Sequence, residues 1–351
     1  MISNMNMTTD HNPSKQDLLM YCSSNPYLAN GLMGACIACS LLYKKRHNKE
    51  LLETMKAILH DVIEMTPHSP IINIKEGICG IGLGISFLIK NNFLADGLIN
   101  TLTEIDTYLY NITSKYFYNK HSSISCEIIN NFTDILLYSA YRHNLTWNSI
   151  YEKELMELLA IKLSNFIYQQ NDVNIYKEPL LRSDFCILYK LLASLSIWLK
   201  QDLSIHNSGI KELTTELTHI VTTTFPKLKI NRFKLYIALS LLQSSGIHDI
   251  SISEHIRILR ENFSISEIIH EEIKDYDLNI SNGILGLYLL IELCKQKYIT
   301  IKYKKEELDE RFYKIYQNCT SQTNDFPQYK ELGINGILGA YLLKGLKFEE
   351  L

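Results

Sequence analysis

The five residues Asn-Gly-Ile-Leu-Gly occur twice in the chain, at 282–286 and at 335–339. Two looser copies read Asn30-Gly31-Leu32-Met33-Gly34 and Glu76-Gly77-Ile78-Cys79-Gly80. Each copy opens an apolar stretch of helical length. The pairs Gly31/Gly34, Gly77/Gly80, Gly283/Gly286 and Gly336/Gly339 put two positions without side chains three residues apart, on one helix face. Such a face predicts close approach of a neighbouring helix backbone. The asparagine before the first glycine predicts a helix N-cap.

The phrase sits inside a longer rhythm. Apolar helices are predicted over 31–42, 77–89, 127–141, 184–199, 231–243, 283–293 and 336–346, with starts about 46 to 57 residues apart. Between them, 50–65, 97–118, 151–170, 211–224 and 304–318 read as amphipathic helices with one wet face. A period near 50 residues holds one helical hairpin, so the chain reads as all-α, built from about seven hairpins. An open solenoid and a closed ring both fit. The last repeat (GINGILGAYLLKGLKFEEL) is as apolar as the middle ones, which favours closure into an α/α toroid of about seven inner and seven outer helices. Residues 1–20 are polar and are expected to be a flexible N-terminal segment; 21–351 would form one domain. With only 7 prolines and 15 glycines, no linker divides it.

Bulk properties narrow the function classes. A net charge of −3 without a basic block argues against a nucleic-acid partner. No apolar run is long enough for a membrane span, and the N-terminus lacks a secretory apolar core. Several of the 8 cysteines lie in apolar runs, as buried thiols of a reducing compartment do, so a cytoplasmic location is expected. Cys36 and Cys39 form a C-x-x-C inside such a run and read as packing rather than redox chemistry.

These glycine phrases resemble those of the lanthionine synthetase C-like (LanC-like) family. The resemblance spans roughly residues 20–351 and is clearest at 28–43, 76–90, 281–294 and 333–345. It implies a toroid of seven inner and seven outer helices, and a place in the maturation of ribosomally synthesised peptides. The family's cyclases hold a zinc ion in the central cavity through a Cys of the fifth repeat and a Cys-His pair before the glycine of the sixth. Here Ser281-Asn282-Gly283 stands at the Cys-His-Gly position, and the fifth repeat has no Cys near 230–233. Ser and Asn are poor zinc ligands, so no metal is expected.

The resemblance therefore implies a peptide-binding role more firmly than catalysis. The chain is expected to bind or present a precursor peptide to a peptide-modifying enzyme without zinc. The alternatives are a divergent zinc-independent thioether cyclase, and a helical interaction protein unrelated to peptide maturation. The polar residues that open the apolar helices, Asn30, Glu76, Asp184, Arg232, Ser281, Asn282 and Asn335, are the candidate peptide site. Helix N-termini gathered there would offer free N–H donors. The catalytic residue is left open, with His248 beside Asp249 as the candidate base. The acidic run 271–277 reads as a solvated face.

Overall fold

The structure, a computed structural model, describes residues 22–66, 71–94, 98–118, 126–143, 158–159, 187–200, 207–223, 225–320, 334–336, 338–340 and 342. Among them the secondary structure is all helical. Of the predicted helix 151–170 only 158–159 fall within the described residues, and Asp184 and residues 1–20 lie outside them. No described helix is long and apolar enough to cross a membrane.

Apolar and amphipathic helices alternate. The apolar ones are α1 (Leu32–Arg46), α3 (Ile78–Lys90), α5 (Cys126–His143), α6 (Ile187–Lys200), α8 (Lys229–Gln243) and α10 (Ile284–Gln296), followed by helical residues at 338–340 and 342. The amphipathic ones are α2 (Lys49–Met65), α4 (Ile99–Tyr118), α7 (Asn207–Thr222), α9 (Ile250–Glu261) and α11 (Lys305–Thr320). Each amphipathic helix packs on the apolar helix before it in the chain: α2 on α1, α4 on α3, α7 on α6, α9 on α8 and α11 on α10. On α2 the buried stripe Leu51, Met55, Ile58, Leu59 and Val62 recurs at helical spacing, and Asn48 caps its start by accepting the Glu50 N–H.

Sequence periodicity did not show α9. Its opening Ile250-Ser251-Ile252-Ser253 alternates like a strand. Asp249 settles it by taking the Ser251 N–H at 2.6 Å, and Ile252, His255 and Leu259 become the buried stripe.

Contacts between apolar helices run in chain order, α1 to α3, α3 to α5, α5 to α6 and α6 to α8. Lys234 of α8 reaches the loop before α10, and Tyr236 Oη donates to the Thr300 carbonyl just after it. The Ile280 N–H, ahead of α10, donates to Asn335 Oδ1 at 3.2 Å. The Asn335 N–H donates to the Ala29 carbonyl at 3.0 Å, ahead of α1. The last described segment thus touches both the sixth repeat and the first.

The glycine phrases do a different job from the one predicted. Their first glycine, not the preceding asparagine, is the N-cap: Gly31, Gly77 and Gly283 have extended backbones and receive no side-chain cap. Asn30 and Asn282 lie one residue outside the helix. Both glycines make room for the chain's own preceding loop, which folds back over the helix start. A Cβ at Gly80 or Gly286 would fall 2.0 Å from the carbonyl oxygen of Ile74 or Ile280. At Gly34 the obstacle is Leu28 O at 2.4 Å, and at Gly339 it is Ile334 O at 2.0 Å. Neighbouring repeats come second: Ile334 lies 3.2 Å from the Gly34 position and Leu285 3.4 Å from that of Gly339.

The same loop satisfies the helix start. The first helical N–H of α1, α3 and α10 donates to a carbonyl seven residues back: Leu32 to Asn25, Ile78 to Ile71 and Ile284 to Asp277, each at 2.9 Å. In two repeats an asparagine three residues before the asparagine or glutamate organises the turn. Asn73 Oδ1 accepts the Glu76 N–H at 2.7 Å, and Asn279 Oδ1 accepts the Asn282 N–H at 2.8 Å.

These contacts predict unequal costs for glycine substitutions. Gly80→Ala and Gly286→Ala press a methyl into a backbone carbonyl that is itself tied down, and each is expected to cost about 1–3 kcal/mol. Gly84→Ala meets only the end of the flexible Met33 side chain and should cost much less, although that contact is as short as 2.3 Å. Thermal melts of the three variants check this; equal losses at Gly84 and Gly80 would remove the loop contact as the cause.

Candidate functional site

The predicted rim residues fall into two groups. Asn335, Asn282, Ser281 and Asn30 take part in bonds that knit the loops before the helices. Asn335 joins the loop before α10 to the loop before α1, and the Asn30 carbonyl accepts the N–H and hydroxyl of Ser23 at 2.7 and 2.9 Å. The oxygens of Ser281 and Asn282 accept from the Lys234 ammonium at 3.0 and 2.9 Å. Glu76 is exposed beside them.

Arg232 forms the second group. Its Nε donates to Pro226 O at 2.7 Å, and its terminal nitrogens donate to Asn262 O and Lys227 O at 2.8 and 3.1 Å. The guanidinium stacks 4.5 Å over the Phe225 ring. Arg232 therefore fastens the loop before α8 to the end of α9.

The helix starts offer fewer free N–H groups than the sequence suggests. Besides the three loop carbonyls described above, Glu272 caps α8: Lys229 N–H donates to one carboxylate oxygen at 2.7 Å and Ile230 N–H to the other at 2.8 Å. The acidic run is thus partly structural. Glu272 projects from a π-helical turn, Ile268–Glu272, while Glu271 pairs with the Lys229 ammonium at 2.6 Å. Asp275 pairs with Arg311, whose charge holds that carboxyl below the ordinary range.

A buried polar cluster that sequence reading missed joins the second, third and fourth repeats. Asp134 of α5, almost wholly buried, accepts the Ile74 N–H at 3.0 Å and pairs with Lys190 of α6. Lys190 also donates to Asn130 Oδ1 at 2.8 Å. Next to it, Tyr138 donates to Asp106 of α4 at 2.6 Å, and Arg142 pairs with the other oxygen of Asp106 at 3.4 Å. Burial raises the Asp106 carboxyl, against the pull of Tyr138 and Arg142. A charged residue in an otherwise apolar helix was the available signal: Asp134 within NNFTDILL and Lys190 within ILYKLLA.

A second feature repeats in register. Six and ten residues after the leading glycine, three of the phrase-bearing helices carry apolar side chains that remain partly exposed: Ile37 and Leu41 on α1, Leu83 and Phe87 on α3, Leu289 and Leu293 on α10; after the fourth phrase the residue six on, Leu342, is buried. The same four-residue spacing of partly exposed apolar side chains recurs at Leu137 and Tyr141 on α5 and at Ala193 and Ile197 on α6. Five apolar helices thus each carry a pair of partly exposed apolar side chains four residues apart, although Leu41, Leu83, Phe87, Ala193 and Leu293 also pack against the core and Lys90 lies 4.9 Å over the Tyr141 ring.

His248 stands exposed beyond the C-terminal end of α8, past the turn at Gly246, whose φ of 94° suits glycine. Asp249 does not orient it: both the N–H and the hydroxyl of Ser251 donate to Asp249 Oδ1 at 2.6 Å, lowering its pKa. The structure brings His248 to none of the other candidates named above.

The residues at the zinc position implied by the resemblance do not fit that metal. An ammonium already points at the Ser281 carbonyl and the Asn282 amide, and it would repel a divalent cation. Among the described residues no three His, Cys, Asp or Glu side chains converge as a ligand set.

The thiols are likewise shielded. Cys22, Cys36, Cys39, Cys79, Cys294 and Cys319 are all buried, and burial pushes Cys22, Cys39 and Cys294 up to about 12. Burial also raises Cys79, within the second phrase, well above the ordinary thiol range. A thiol raised in the folded state loses stabilisation as pH climbs past its unfolded value, about 8.5. Stability is therefore expected to hold from pH 7 to 8 and to fall between pH 9 and 10. Native protein at pH 8 should leave these six thiols unlabelled by a disulfide reagent until denaturant is added. For Arg232→Ala, the loss of three hydrogen bonds and a stacked ring should lower the melting temperature by several degrees, with about 1 kcal/mol for each lost bond as the scale. An unchanged melt would show the guanidinium to be unnecessary to the loop.

A scan against protein-family models and a search of curated proteins find no match for the chain.

Proposed function

We propose that the hairpins close into an α/α toroid of the LanC-like kind, and that its interior binds a ribosomally synthesised precursor peptide without zinc catalysis. In this reading the chain presents the peptide to a modifying enzyme. The observation that carries the reading is the recurring pair of apolar side chains: those six and ten residues after the leading glycine stay partly exposed on α1, α3 and α10. Apolar surface left exposed in a repeated pattern is a common mark of a binding face. The bond from Asn335 to Ala29, joining the last described repeat to the first, supports closure, which would turn those pairs into the lining of a cavity. Lys190, partly exposed beside Asp134, would add a polar contact at one side.

Calorimetry with a synthetic precursor peptide, chosen from short reading frames sought near the gene, tests the reading. Ile197→Glu, in the α6 pair, is expected to weaken binding at least tenfold while Ile250→Glu, 88% exposed at the start of α9, leaves it unchanged. Equal affinities would remove the α6 pair from the site. Conversion of a dehydrated peptide to a thioether ring by the protein alone would favour the zinc-independent cyclase instead.

Metal content gives a separate check. Protein purified without a polyhistidine tag is expected to carry far less than one equivalent of zinc, and a chelator should leave its melting curve in place. Stoichiometric zinc by elemental analysis would overturn the metal-free part of the proposal.

A further inference from the structure

The carbonyl two residues before a phrase's first glycine is bonded by the preceding repeat in three of the loops. Ala29 O accepts the Asn335 N–H, and Lys75 O accepts the Ala29 N–H, both at 3.0 Å. These two links run backbone to backbone, from the last repeat to the first and from the first to the second. The equivalent carbonyl of the sixth repeat is Ser281 O. The fifth repeat has no glycine phrase, and its bond to this carbonyl comes from a side chain, Lys234 Nζ, at 3.0 Å. The same ammonium donates to Asn282 Oδ1 at 2.9 Å.

We infer that Lys234 is a resident cation of this junction, seated in a two-oxygen site formed by the Ser281 carbonyl and the Asn282 amide, and that it joins the fifth repeat to the sixth in place of both the missing backbone link and any metal. The geometry suits an ammonium. Two of its three donors meet neutral oxygens, whereas a divalent metal would require anionic or imidazole ligands there. The long methylene stem also lets α8 span the gap that a loop fills elsewhere. The site's ligand class is therefore a primary ammonium, supplied by the chain itself.

A double-mutant cycle on the full-length, tag-free protein tests the inference without any peptide, so its outcome is separate from that of the peptide reading. Lys234→Met keeps the stem and removes the charge; Asn282→Ala removes one acceptor. Each single variant is expected to melt about 2–4 °C below the parent, and the double variant no lower than the worse single one. Lys234→Arg, which keeps a cation, should lie between the parent and Lys234→Met. Additive losses, or a Lys234→Met variant that melts like the parent, would overturn the bridge. Zinc that raises the melting temperature of the parent but not of Asn282→Ala would overturn it too, because a metal would then occupy the junction.

Discussion

Everything described above depends on a loop that folds back over the start of its own helix. Chain reversal of this kind brings a backbone carbonyl against the first helical turn, and only a residue without a Cβ leaves room for it. The carbonyls of Ile74 and Ile280 sit where a Cβ of Gly80 or Gly286 would be, at 2.0 Å. In return the loop carbonyls of Asn25, Ile71 and Asp277 accept the N–H groups that begin α1, α3 and α10. The glycine phrase is therefore a packing requirement and a hydrogen-bonding device together. Its two functions explain why the second glycine is as necessary as the first.

This arrangement changes what the ends of the helices can do. A bare helix N-terminus attracts anions because its first N–H groups lack partners. Here loop carbonyls take the leading donors of three helices, and Glu272 takes those of α8. The loops become a hydrogen-bonded collar, with Asn335 and Lys234 as links between repeats. The partly exposed apolar side chains lie instead along the bodies of the helices, on α1, α3, α5, α6 and α10.

Much of the architecture could be read from periodicity and from the glycine spacing. The apolar helices start within a few residues of the predicted positions, because a long apolar run bounded by a phrase has few other ways to fold. What periodicity could not show was pairing at a distance. Nothing local marks Asp134 as the acceptor of an N–H sixty residues away. The strand-like alternation of Ile250 to Ser253 hid α9 until its cap and its buried face were known. The asparagines Asn73 and Asn279 were legible, since Asn-Ile precedes both phrases at the same distance, but their role shows only in the turn they close. Arg232 looked like a ligand-binding charge on sequence grounds, yet its guanidinium is taken up by three carbonyls of nearby loops.

The repeats that have lost the phrase show what replaces it. From the third to the fifth repeat the bonds between neighbours come from side chains: Asp134 to Ile74 and Lys190, Trp198 to the Leu136 carbonyl, Lys234 to Ser281 and Asn282, and Tyr236 to the Thr300 carbonyl. A backbone link needs the folded-back loop that the glycines permit, whereas a long side chain reaches across without it. Losing the glycine thus permits a bulkier helix start, but only if a side chain takes over the bond. An ion pair with one buried partner, as Asp134 is here, carries a desolvation cost that a backbone bond does not, which makes it weak as a source of stability but selective for one partner. Asp134 and Lys190 would hold their repeats in a single register on that account. The middle of the chain therefore diverges in sequence while keeping the same order of contacts, because the fold requires a bond between neighbours at these points and not a glycine as such.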